Sequence, residues 1–197
     1  MSEPAGQRPL PYAVAVRGVA RCAVQTVRLL RERRIRWPRS HVGARLQFAN
    51  GTTGRVYRET AVDRLLDDEP CILVVSFRLR WVHDPAMHTL FRWESWLNTP
   101  LFAGFPGLVS KLWLAHDEHD VYRGLYEWDG AERAEHYARC LWRVLALVSV
   151  RGSIGYSITP RLTRDDLLAA PGRLAGAADD APGWARLVAV DGDPSAV

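Results

Sequence analysis

The sequence predicts an α+β fold: a ferredoxin-like β-α-β-β-α-β unit over residues 71–159, preceded by an N-terminal helix and β-hairpin. Two observations carry this reading. The run Cys71-Ile-Leu-Val-Val75 is continuously apolar, as a strand buried on both faces must be. Two more strand-like runs, Leu108–Ala115 and Val121–Trp128, flank the charged turn His116–Asp120, and a helical apolar period precedes the first and follows the second.

Residues 1–66 form the N-terminal extension. From Tyr12 to Arg36, Val16, Val19, Ala20, Ala23, Val27 and Leu30 recur at helical steps as the face that packs on the domain. Arg17, Arg21, Arg28 and Arg31 take the solvated side, and Trp37-Pro38 ends the helix. The strands Ala44–Phe48 and Arg55–Val62 then make a hairpin around Asn50-Gly51. In the main unit, the first strand runs from Cys71 to Trp81. Asp84-Pro85 opens a helix whose apolar side is Leu90, Trp93, Leu97 and Leu101. Asp129 is the expected cap of a second helix, Ala131 to Ser149, with Ala134, Tyr137 and Leu141 inward, and Arg151 to Thr159 is the last strand. Residues 160–197 form a C-terminal extension with a short helical signal at Asp165–Ala170. Its Ala-, Gly-, Asp- and Pro-rich remainder reads as partly disordered. Two helices cover one sheet face in such a unit. The other face needs burial, and a homodimer is the usual solution.

Charge is divided along the chain. Residues 1–45 hold ten Arg against two Glu, whereas the rest is net acidic by four charges. The pI of 9.2 therefore belongs to the N-terminal arm, and nucleic acid is not expected as a partner. A basic amphipathic helix can instead lie on an anionic membrane or cover a partner protein, although packing on its own domain is the simpler expectation. No secretory signal is expected, because arginines break the N-terminal apolar stretch. Cys22, Cys71 and Cys140 lie far apart in apolar runs, as buried thiols of a reducing cytoplasm do.

The chain contains a single lysine, Lys111, against 25 arginines. It sits inside a strand, two residues before Trp113, where a compact ammonium differs physically from a guanidinium. By alternation it shares a face with Val109 and Trp113. Tyr122, Tyr126 and Trp128 share a face of the next strand, and Ser76, Arg78 and Arg80 share one on the first. Which face of each strand meets the helices is open at this level. His116 and His119 have a spacing compatible with a metal but imply no third ligand, and no phosphate loop or nucleophile elbow occurs.

The run Pro106–Trp113 (PGLVSKLW) resembles the PGFxxKxW segment of YdhR-like monooxygenases. The run Tyr122–Trp128 (YRGLYEW), followed by a helix bearing Tyr137, resembles their G-x-Y-x-F/W strand and next helix. That family belongs to the dimeric α/β-barrel superfamily, which includes antibiotic-biosynthesis and haem-degrading monooxygenases, isomerases and cyclases. The resemblance spans residues 71–159 and implies a homodimeric barrel with a pocket between sheet and helices. It also implies a cofactor-independent oxidation of an aromatic or polyketide-like molecule, with no metal or flavin. Lys111, Asn98, Tyr126 and Tyr137 are then the catalytic candidates, Lys111 holding a substrate oxyanion and Asn98 orienting it. Trp93, Trp113, Trp128 and Arg78 are the substrate-binding candidates. A polyketide cyclase or isomerase, or a non-catalytic small-molecule-binding or accessory protein, would use the same scaffold. Haem degradation would require His136 as the proximal ligand and lacks the family's first-strand Asn.

Overall fold

The computed structural model describes residues 9–64, 66–80, 102–171 and 181–192. They form α1 (Tyr12–Arg31), β1 (Ile35–Arg36), β2 (Arg45–Phe48), β3 (Thr53–Val62), β4 (Pro70–Arg78) and β5 (Leu108–Leu114). There follow β6 (Val121–Asp129), α2 (Ala131–Val148), β7 (Gly155–Pro160), α3 (Arg164–Ala169) and β8 (Leu187–Asp191). The helix expected around Leu90, Trp93 and Leu97 lies outside the described residues.

The strands make one sheet in the order β7-β4-β6-β5-β3-β2-β8, with β1 paired to β3. Within it, β7-β4-β6-β5 places the fourth, first, third and second strands of the predicted unit side by side, which is the ferredoxin-like arrangement. β4 and β5 both pair antiparallel with β6. They therefore run parallel to each other and need a crossover between them. The hairpin of the N-terminal extension joins this same sheet, because β3 pairs with β5.

β4 alternates its side chains between two cores. Cys71, Leu73 and Val75 face α1 and α2, together with Phe105, Tyr126, Trp128 and Tyr137. Ile72 and Val74 face the other way, against Leu46, Phe48, Leu112, Leu125, Leu162, Leu167 and Leu187. The sheet thus curls so that β2, β8 and α3 cover the second face. Burial of that face, the reason for expecting a second subunit, is supplied by the chain itself.

Four details depart from the sequence reading. First, α1 packs through Ala15, Cys22, Thr26 and Leu29, leaving Val16, Val24 and Val27 exposed. Its approach to the 102–107 turn is too close for larger residues, since a Cβ on Gly104 would sit 2.0 Å from the Cys22 carbonyl oxygen. Second, Asp129 does not cap α2; Gly130 does, at φ 96°. The buried Asp129 carboxylate instead accepts the Asp67 and Asp68 N–H groups, at 3.1 and 2.7 Å, and pairs with Arg133. Third, the C-terminal extension contributes β8, which pairs with β2. Fourth, a bulge between Leu108 and Ser110 puts Leu108, rather than Val109, in the same core as Trp113.

Polar anchors hold the second face. Arg123 donates to Asp117 Oδ2 at 2.7 Å, Thr52 Oγ1 at 3.0 Å and the Trp184 carbonyl at 3.0 Å, tying β6, its preceding turn, the hairpin and the C-terminal segment. Glu59, on β3, is buried beneath Arg164 Nη1 at 2.7 Å, His41 Nδ1 at 3.2 Å and Ser40 Oγ at 3.2 Å. Burial by itself would raise the Glu59 carboxyl, but the His41 hydrogen bonds and the Arg164 charge outweigh it and hold the pKa below its ordinary 4.5. A carboxylate depressed in the folded state contributes stability above its unfolded pKa and loses it as the pH falls through the folded value. Glu59→Gln is therefore expected to cost roughly 3 kcal/mol at neutral pH, because it removes the buried charge beneath His41 and Arg164 and leaves Arg164 only its exposed partner Asp165. It should also flatten the loss of stability below pH 4.5. Denaturant melts of both proteins across that range check this, and equal acid sensitivity would remove Glu59 as the anchor.

Candidate functional site

Lys111 answers the question of faces. It lies opposite Tyr126 on β6 and Thr60 on β3, and it is only 6% exposed. Its side chain is on the helix-covered side, where Nζ stands 3.1 Å from the centre of the Trp113 ring, 4.5 Å from Phe102 and 4.6 Å from Tyr126. Among the described residues it makes no ion pair with a carboxylate.

Each wall of this cage has a local cause. Lys111 and Trp113 are two residues apart on β5 and so share a face. The Trp113 indole is held by its N–H, which donates to Thr60 Oγ1 at 3.2 Å. Phe102, from the turn beneath α1, meets Trp113 edge-on at 5.2 Å. Tyr126 folds along its own strand over Gly124; a Cβ at 124 would lie 2.7 Å from the Tyr126 ring, so only glycine leaves that ring its place. Tyr137 on α2 then donates to the Tyr126 hydroxyl oxygen at 3.3 Å, which leaves the Tyr126 proton free to be donated onward. Trp128 lies 4.8 Å from Tyr137. Its indole N–H is buried with no acceptor among the described residues.

The electrostatics of the cage favour an anion. Arg58, on β3, sets its guanidinium 5.0 Å from the same Trp113 ring, and burial brings its pKa down to about 10. Ring faces stabilise an ammonium by about 0.5–2 kcal/mol each. Burying an ammonium without a counter-ion costs several kcal/mol. Burial first, and the neighbouring Arg58 charge second, hold Lys111 well below the ordinary lysine value of 10.5. Burial pushes the Tyr126 and Tyr137 hydroxyls the other way, above the ordinary phenol, so both stay protonated.

Of the residues singled out from sequence, Lys111, Trp113, Tyr126, Trp128 and Tyr137 converge on one side of the sheet. Asn98 and Trp93 lie outside the described residues. Arg78 is a correction: it is exposed at the end of β4, on the alternate face to Leu73 and Val75, because strand alternation sends it away from the helices. Sequence reading missed Arg58, Thr60 and Phe102. Arg58 and Thr60 stand two residues apart on β3, and only the β3–β5 register brings them to Trp113 and Lys111. His136, the residue a haem would need, is exposed on α2 with its Nε2 3.6 Å from Cys140 Sγ.

No family model matches the chain, and no curated protein matches it. Solved structures do. One is an uncharacterised ferredoxin-fold protein of Listeria monocytogenes related to antibiotic biosynthesis monooxygenases, at 16% identity, 57% of this chain, 66% of that chain and a TM-score of 0.38. A monooxygenase-like protein of Listeria innocua is 17% identical over 55% of this chain and 63% of its own, with a TM-score of 0.36. An anthrone oxidase-like protein is 10% identical over 57% and 58%, with a TM-score of 0.34. The chain thus spans less than two thirds of each of these structures. Likeness at this level concerns the ferredoxin-like fold alone.

A buried lysine with no counter-ion among the described residues is a cost to folding. Lys111→Met, close in volume and apolar, is expected to raise the melting temperature by about 2–4 °C, equivalent to roughly 1 kcal/mol in a chain of this size. Between the lowered folded pKa and 10.5 the unfolded chain holds a proton that the folded chain does not, so wild-type stability should climb as the pH rises through that window, and the variant should lose that slope. A lower melting temperature for Lys111→Met would show that the amine is a structural element.

Proposed function

We propose that the chain is a cofactor-independent monooxygenase of the quinone-forming type, acting on an aromatic or polyketide-like molecule that ionises at a phenol or enol. The observation that carries the reading is the caged Lys111, a buried amine with rings on three sides and no carboxylate beside it among the described residues. The acceptorless Trp128 N–H adds a second donor on the same side of the sheet. A flat substrate bearing oxygens fits such a set: the rings take its body and the donors take its oxygens.

In this reading the neutral Lys111 amine removes the substrate's phenolic or enolic proton, and the resulting ammonium holds the oxyanion. Arg58 adds positive charge to the same ring wall, and Tyr126, relieved of accepting duty toward other groups by Tyr137, donates to a substrate oxygen. The electron-rich anion reduces dioxygen. One oxygen atom becomes the new carbonyl of the product and the other leaves as water with the two hydrogens lost by the substrate, so no external reductant is required.

Oxygen uptake with hydroxylated naphthalenes and anthracenes tests this. Wild-type protein is expected to consume one dioxygen per quinone formed, with activity falling in acid as Lys111 takes up a proton. Lys111→Met and Lys111→Arg should each lose at least about a hundredfold in turnover, since neither side chain can act as the base. Tyr126→Phe should lose roughly tenfold, the worth of one hydrogen bond to a charged oxygen. Full turnover in Lys111→Met, or a product of unchanged mass formed without oxygen, would overturn the assignment, the latter in favour of an isomerase or cyclase.

A further inference from the structure

The outward side of α1 is built to rest on something. Its buried stripe is narrow, and around the helix from it lie Val16, Ala20, Val24 and Val27, spaced to form one continuous apolar line. Val16 is 65% exposed and Val24 73%. Beside this line runs a second one of Arg17, Arg21 and Arg28, with Arg31 at its end. No acidic residue occurs anywhere in α1, and among the described residues Arg28 alone of these arginines is ion-paired, with Glu32 just past the helix end. Tyr12, 64% exposed, begins the same side of the helix.

We propose that this face docks on an anionic lipid surface, with α1 lying in the interfacial plane. An apolar line flanked by arginines, on a helix free of acidic groups, matches an interface that is apolar below and negative above. Nucleic acid would use the arginines but leave the valines in water. A second copy of the chain would bring two acid-free, arginine-lined helices together. Among the described residues no helix is long and apolar enough to span a bilayer, so α1 lies on the surface. The anchoring to the domain is independent of this face: Ala15, Cys22, Thr26 and Leu29 hold α1, and Gly18 lets it approach Cys140 on α2, where a Cβ would stand 3.2 Å from the sulfur.

Co-sedimentation with vesicles tests the proposal. The full chain is expected to bind phosphatidylglycerol–phosphatidylcholine vesicles, to bind pure phosphatidylcholine at least about tenfold more weakly, and to be released by 0.5 M salt, roughly the condition that screens surface charge. Val16→Glu with Val24→Glu, both at exposed positions, should abolish binding without lowering the melting temperature. Arg17→Gln with Arg21→Gln should weaken it about tenfold and reduce the salt dependence. No binding to anionic vesicles, or binding that survives the glutamate pair, would overturn it. Reversible dimerisation abolished by the glutamate pair, with no vesicle binding, would assign the face to a second copy instead.

Discussion

The constraint on which this structure depends is that its central strands are buried on both faces. β4 lies between β6 and β7 and offers apolar side chains alternately to two cores. A sheet of that kind is stable only if something covers each side. α1 and α2 cover one side among the described residues. The other is closed by the chain's own peripheral strands, which extend the sheet past β5 and bring Leu46, Phe48 and Leu187 onto Ile72 and Val74. The N-terminal hairpin and the C-terminal strand are therefore part of the core. Each Leu or Phe they bury contributes about 1.5–3 kcal/mol that the minimal unit would otherwise lack.

The two faces treat buried charge in opposite ways. On the second face every buried ion is answered: Arg123 by Asp117 and two further acceptors, Glu59 by Arg164 and His41. Breaking such a pair is costly, and so they act as fasteners between segments far apart in sequence. On the helix-covered face Lys111 meets rings and a second cation. The fold contains the means to neutralise a buried charge, and among the described residues no carboxylate is set against Lys111. A buried amine set among rings, against ion pairs that are closed on the other face, is the feature on which the proposed site rests.

Much of the frame could be read from the residues. The apolar run at Cys71–Val75, the Asn50-Gly51 turn and the helical period after Asp129 each rest on local rules, and the strands and helices formed where those rules put them. What could not be read depends on pairing at a distance. The Leu108–Ser110 bulge changes which residues of β5 face the helices, and no neighbouring residue signals it. Arg58 reaches Trp113 only through the β3–β5 register. Asp129 had the right chemistry for a cap, yet the segment at 66–69 offered it two N–H groups that outcompeted the helix end. In α1 the periodicity was correct but the side was not. Valines at helical spacing suggest the core, whereas the close approach at Gly104 and Gly18 selected a stripe of smaller residues.

The site's titrations restrict what it can do more tightly than its geometry does. Tyr126 and Tyr137 lie above the ordinary phenol and remain proton donors. Arg58, near 10, remains a cation at neutral pH. Of these four groups only Lys111 is moved toward the range where proton uptake and release are both accessible, and burial does the moving. In the proposed function, a ligand that brings an acidic hydroxyl into the cage changes the balance by itself: the proton passes to Lys111, the new ammonium gains an oxyanion, and the Trp113 face that was a modest partner to an amine becomes a better one to a cation. On that reading the buried amine carries a charge, and has it paired, only with such a ligand bound. The lysine's burial, a cost to the empty fold, would then be what separates ligands that can surrender a proton from those that cannot.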